Sequence, residues 1–108
     1  MGRHKLIVPC SEVIKILGPP LYITSDEVDR LALINRALAM EVKKAVNTGL
    51  LRAVQGCINP RCVGDYEVEC VDALVYTIVI NDVGREMEGK ELLIRALKAL
   101  GIDYRSRL

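Results

Sequence analysis

From residue 28 to residue 46 apolar side chains return at three- and four-residue steps, and no other feature of the chain restricts its fold more. Val28, Leu31, Ile34, Leu38, Val42, Ala45 and Val46 line one stripe of a helix, because that spacing stacks side chains on a single face. Leu33, Ala37 and Met40 make a narrower stripe beside it, so this helix is expected to touch more than a sheet. Its start is written locally. Thr24 and Glu27 have capping-box spacing, Ile23 stands at the hydrophobic-staple position, and Asp26 and Glu27 suit the positive helix end. Lys43 and Lys44 suit the negative end, and Asn47-Thr48-Gly49 supplies a stop.

A second helix carries Leu92, Leu93, Ala96, Leu97 and Leu100 on its apolar side and stops at Gly101. Gly89 costs a helix interior about 1 kcal/mol relative to alanine, which argues for a start later than Glu86. Strands are expected at Leu6-Ile7-Val8, at residues 12–17 before the turn Gly18-Pro19-Pro20, at 50–55, at 66–70, at 73–80 and, closing the chain, at 102–105. Residues 56–62 hold Gly56 and Pro60 and read as a loop. Residues 66–70 and 73–80 are read as one bent strand or a hairpin at Asp72, the second stretch apolar enough to be buried on both faces.

From Glu12 onward the order is strand, helix, strand, strand, helix, strand. The expected fold class is therefore α+β, a ferredoxin-like split βαβ (β-α-β-β-α-β) with an extra N-terminal strand and two helices on one face of a mostly antiparallel sheet. At 108 residues the chain is expected to be one domain, 1–108. A sheet covered on one face leaves the other to be sheltered. A homo-oligomer, most simply a homodimer, or a protein partner is one expected owner of that face, and the N-terminal segment folding across it is the other.

Valine, isoleucine, leucine and alanine dominate the apolar half of the chain, while Phe and Trp are absent, so packing must come from branched aliphatics. A net charge of +1 gives no long-range field to gather nucleic acid or acidic substrates. No run approaches the roughly 18 apolar residues of a membrane span. Pro9 halts the apolar run behind the basic N-terminus, so no secretory signal is expected and the location is expected to be cytoplasmic. Abundant Arg, Lys and Glu beside few Asn and Gln lean towards a thermophile.

Four cysteines are the most chemically suggestive residues. Zinc and iron–sulfur sites usually take two close pairs of thiolates; here only Cys57 and Cys62 are close, Cys70 lies on a strand and Cys10 is remote. Zinc thus stands as an alternative cofactor against an expectation of none, and a zinc- or thiol-based metal or redox protein using Cys57, Cys62 and Cys70 as an alternative function, its redox form disfavoured because no Cys-x-x-Cys pair opens a helix. A disulfide joining Cys57 to Cys62, or Cys57 to Cys70, would pin the Pro60 loop to the sheet, and thermophile proteins tolerate such bridges inside cells. A buried free thiol is the leading expectation for Cys70.

Two short stretches echo known families. Val13-Ile14-Lys15-Ile16-Leu17-Gly18-Pro19-Pro20-Leu21-Tyr22-Ile23-Thr24, followed by Glu27, Asp29 and Ala37-Leu38, resembles the small-domain segment of class III pyridoxal-phosphate aminotransferases. It spans a quarter of the chain, and that family's cofactor lysine and phosphate-binding parts lie outside it, so the activity is not implied. Cys57-Ile58-Asn59-Pro60-Arg61-Cys62-Val63 is similar to the first zinc knuckle in the regulatory chain of aspartate carbamoyltransferase, whose second Cys-x-x-Cys has no counterpart here. Neither assigns the chain to a family.

No catalytic set assembles. His4 stands near the N-terminus without a positioned partner. Asp26, Glu27 and Asp29 are explained by helix capping, and Glu67, Glu69 and Asp72 by the solvent face of a strand. Gly84 to Gly89 lacks the lysine and hydroxyl of a phosphate loop. The chain is expected to be non-catalytic. Basic residues give the alternative reading: Arg3, Lys5, Arg105 and Arg107 would form one nucleic-acid patch if the terminal strands were neighbours, with Arg52 and Arg61 adding charge and Tyr104 a stacking face. Charged edge strands that deter aggregation explain the same residues without a ligand.

Overall fold

The computed structural model describes residues 3–7, 9–10, 21–80 and 82–107. In chain order these form β1 (Arg3–Leu6), β2 (Tyr22–Thr24), α1 (Ser25–Ile34), α2 (Arg36–Asn47), β3 (Leu51–Gly64), β4 (Glu67–Ile78), α3 (Val83–Ala99) and a 3₁₀ turn (Tyr104–Arg107). The class is α+β with a mostly antiparallel sheet. The strand and turn expected at 12–20 lie outside the described residues, as do Val8 and Asn81. By internal contacts the chain divides into two compact units: residues 1–19 with Gln55–Leu74, and residues 20–54 with 75–108.

In the first unit β1 runs antiparallel to β4, with Arg3 opposite Val71 and Leu6 opposite Val68, three residues earlier than the strand expected at Leu6. β3 and β4 meet through the turn at Asp65 and Tyr66. The loop expected at 56–62 is strand instead. β3 pairs with β4 alone among the described strands, and an edge strand tolerates a proline because one side of its backbone needs no donor. β4 is one continuous strand, the first of the two readings. Its burial changes phase near Val71 and Asp72: Val68 and Cys70 are buried before that point and Ala73, Val75 and Thr77 after it.

The second unit is built under its helices. Thr24 caps α1 as expected: its hydroxyl accepts from the Glu27 amide at 3.1 Å, and Glu27 Oε1 accepts from the Thr24 amide at 2.9 Å. The single helix expected through residue 47 is broken at Asn35, which has φ −151° and ψ 82°. Asn35 donates its amide to the Leu31 carbonyl at 2.7 Å and accepts from the Leu38 amide on its side chain at 3.1 Å, ending one helix and capping the next. Short polar side chains compete with the helix for backbone partners in this way. The break takes Ile34 off the core stripe, while Leu31, Leu38, Val42 and Ala45 stay on it. Leu33, Ala37 and Met40 are exposed rather than packed.

α3 starts at Val83, earlier than expected, because Asp82 accepts from the amides of Gly84 and Arg85. Gly89 belongs inside it for a packing reason. A Cβ there would lie 3.1 Å from Leu51 Cδ2 and 3.3 Å from the Leu50 carbonyl oxygen, so the bare glycine lets α3 settle onto β3. Gly101 ends the helix region at φ +75°. The strand expected at 102–105 is not formed; Asp103 accepts on its carbonyl from the Ser106 amide and hydroxyl, and the chain curls into the 3₁₀ turn. The core joins Leu21, Ile23, Leu31, Val42, Leu51, Ile78, Leu93 and Leu97, with Tyr76, Ile102 and Tyr104 packed against it. Leu21 has φ +102°, a costly value for a side chain with a Cβ. It is fully buried, and its carbonyl accepts from the Thr77 hydroxyl at 2.6 Å.

Candidate functional site

Three features carry chemistry: the paired cysteines of the first unit, an ion pair in the second, and the exposed surface of α1, α2 and α3. Cys57 on β3 is joined to Cys70 on β4, and Cys62 on β3 to Cys10, with Cα separations of 5.4 and 5.7 Å. One of the two pairings considered for Cys57 is therefore formed. The Cys57–Cys62 pairing is not, and Cys70 is buried but is no free thiol. Ile58, Val68 and Ala73 are the apolar residues buried with Cys70 among the described residues of this unit. Joined in disulfides, Cys57, Cys62 and Cys70 offer no thiolate to a metal. Among the described residues no three His, Cys, Asp or Glu side chains are grouped as metal ligands.

In the second unit Arg107 lies against α1. Its Nη1 and Nη2 donate to Glu27 Oε1 and Oε2 at 2.6 and 2.7 Å, Nη1 also donates to the Tyr22 carbonyl at 3.2 Å, and the guanidinium stacks 4.6 Å from the Tyr22 ring centre. Burial pushes the Glu27 carboxyl up, but the bonds from Arg107 and Thr24 outweigh it and hold the group below its ordinary value. The same ion pair raises Arg107. Burial raises the Tyr22 hydroxyl, partly offset by the Arg107 charge. No signal in the sequence joins residues 80 positions apart, and Arg107 had read as a surface cation.

The other basic candidates are dispersed. Lys5 faces Glu67 at 3.5 Å, Arg61 faces Glu69 at 3.9 Å, and Arg105 binds the Asp103 carboxylate at 3.1 Å. Arg3 is placed by its backbone opposite Val71. Arg52 is exposed with no acidic partner among the described residues. Tyr104 is half-buried against the core, with Lys98 5.9 Å from its ring centre. Tyr104–Arg107 form a 3₁₀ turn, so the C-terminal strand that the patch presupposed is not formed among the described residues.

Between α2 and α3 a groove of about 580 Å³ has Ala45, Leu50 and Leu92 on its floor. Arg95 bridges it to Glu41 at 2.8 Å, and Lys44, Glu88 and Glu91 stand on its rim. Nothing in it pairs a nucleophile with a base.

Residues opposite each other in antiparallel strands share a face, so Ile23 and Tyr76 lie under the helices while Thr24 with Val75 and Tyr22 with Thr77 lie on the reverse. Val75 is 0 % exposed, Thr77 5 % and Thr24 8 % within one chain. Apolar side chains are left in water at several places among the described residues: Leu33 and Ile34 at the end of α1 are 85 % and 64 % exposed and Met40 in α2 61 %, while Ile7 is 90 % exposed and Val83 and Met87 of α3 are 75 % and 60 % exposed.

Comparison with protein-family models, curated proteins and solved structures returns no match. No helix among the described residues is long and apolar enough to cross a membrane.

Proposed function

We propose that the protein is a small non-catalytic binding module that assembles with a second copy of itself. The observation behind this reading is the corner between α1 and α2, where Leu33, Ile34 and Met40 stand in water around the Asn35 break. Each such side chain would contribute about 1.5–3 kcal/mol if fully buried. The charges beside them are self-complementary. Asp29 lies four residues before Leu33 and Arg36 four before Met40, opposite in sign and without an ionic partner among the described residues. A twofold contact that lays α1 of one copy along α2 of the other would set Asp29 against Arg36 twice.

The element order favours a ferredoxin-like layout for the second unit. β2, the α1–α2 pair, β3, β4 and α3 follow the split βαβ order, β4 is hydrogen-bonded to both β2 and β3, and the 3₁₀ turn stands where a closing strand would be. Nucleic acid is the weaker reading, since Lys5, Arg61, Arg105 and Arg107 each face an acid.

Size-exclusion chromatography with light scattering tests the proposal across a range of concentrations. The expected result is a species of twice the 12.0 kDa chain mass that Leu33→Lys with Met40→Lys converts to monomer. A wild-type monomer at the highest concentration reached would remove it.

A further inference from the structure

The two disulfides of the first unit differ in what can reach them. Cys70 is 1 % exposed, so the Cys57–Cys70 bridge has one sulfur-bearing residue sealed off. Cys57 and Cys10 are both half-buried, so the bridges differ in their other residue: Cys62 on β3 is exposed where Cys70 is sealed. Thiol–disulfide exchange is a displacement at sulfur, with the attacking thiolate in line with the bond that breaks, so access to one sulfur decides which bridge reacts.

We infer that Cys62 is a thiol-exchange site and that Cys10–Cys62 is a cleavable latch, while Cys57–Cys70 is a fixed structural cross-link. The partner is a thiol compound or a dithiol protein. Its thiolate attacks Cys62 Sγ; the Cys10–Cys62 bond breaks, a bond from the partner to Cys62 forms, and Cys10 leaves as a thiolate that takes a proton from water. If the partner carries a second thiol, that group displaces Cys62. The partner is then oxidised to its own disulfide and two electrons and two protons reside on Cys10 and Cys62. A monothiol stops at the mixed disulfide.

The surroundings of the latch suit reversible opening. β1 stays hydrogen-bonded to β4 along four residues, and the Cys10 amide donates to the Asp65 carbonyl at 3.1 Å, so Cys10 keeps a non-covalent anchor near the hairpin turn when the bridge opens. The bridges also govern different lengths of chain. Cys10–Cys62 joins residues 52 apart and Cys57–Cys70 residues 13 apart, so with the first open the hairpin stays clamped by the second.

The native protein is treated with dithiothreitol for increasing times, quenched with N-ethylmaleimide and mapped by peptide mass spectrometry. Cys10 and Cys62 should be alkylated at least roughly ten-fold faster than Cys57 and Cys70, as expected for an accessible against a shielded bridge. Equal rates, or earlier opening of Cys57–Cys70, would overturn the latch. Incubation with reduced glutathione, a monothiol, should give an adduct on Cys62; an adduct on Cys10 instead would overturn the site.

Discussion

Arg107 and Glu27 are joined by two parallel hydrogen bonds of 2.6 and 2.7 Å, which fasten the C-terminal 3₁₀ turn to the first turn of α1. Glu27 Oε1 also accepts from the Thr24 amide, so one carboxylate completes a local cap and a long-range clamp. Paired forks of this kind are the stronger charge-assisted hydrogen bonds.

Removing one partner leaves the other charged and shielded from water. Arg107→Ala is expected to destabilise the fold by about 3 kcal/mol, the lower end for breaking a buried pair. Glu27→Gln should cost slightly less because its amide oxygen still accepts from Thr24. Urea denaturation of both variants and the double variant checks this, and the double variant should lose less than the sum of the two single losses.

The pair also sets an acid limit. Glu27 is held below its ordinary value of 4.5, so its contribution is complete above that pH and disappears as the pH falls through the folded value. Tyr22 is raised above 10.0, so its contribution is present below that pH and declines as the pH climbs through the folded value. The melting temperature should hold a plateau between these limits. In Glu27→Gln the acid limb should flatten while the alkaline limb remains.

Two glycines of α3 should respond in opposite directions to the same substitution. At Gly84 an added Cβ would meet only Asp82 Oδ1 at 3.6 Å, so Gly84→Ala should stabilise by about 0.5 kcal/mol through helix propensity. At Gly89 it would press on buried Leu51 and on the Leu50 carbonyl, where overpacking of about 2 kcal/mol exceeds a propensity gain of about 1 kcal/mol. Gly89→Ala should therefore lower the thermal midpoint where Gly84→Ala raises it.

The bridges should differ in thermodynamic weight. Loop closure predicts a loss of about 3 kcal/mol for Cys57→Ser with Cys70→Ser and about 4 kcal/mol for Cys10→Ser with Cys62→Ser. Denaturant midpoints of the two double variants, each with the other bridge intact, test the order.

What the sequence determined by itself is local. The Thr24–Glu27 cap, the helix stop at Gly101 and the core stripe of Leu31, Leu38, Val42 and Ala45 depend on residues within a turn or two of each other, and each is found where the spacing puts it. The Asn35 break was local too, and the apolar period running past it hid a side chain able to cap from within. Tertiary structure decided the rest. Pairing of Cys62 with Cys10, burial of Arg107 against Glu27 and the fit of Gly89 over Leu51 join residues 38 to 80 positions apart, whose meeting depends on how strands and helices stack. The same holds for strand character at 56–62 and its loss at 102–105: a partner strand and an edge position outweighed proline and glycine in one, and an Asp103-centred turn outweighed β-branched character in the other.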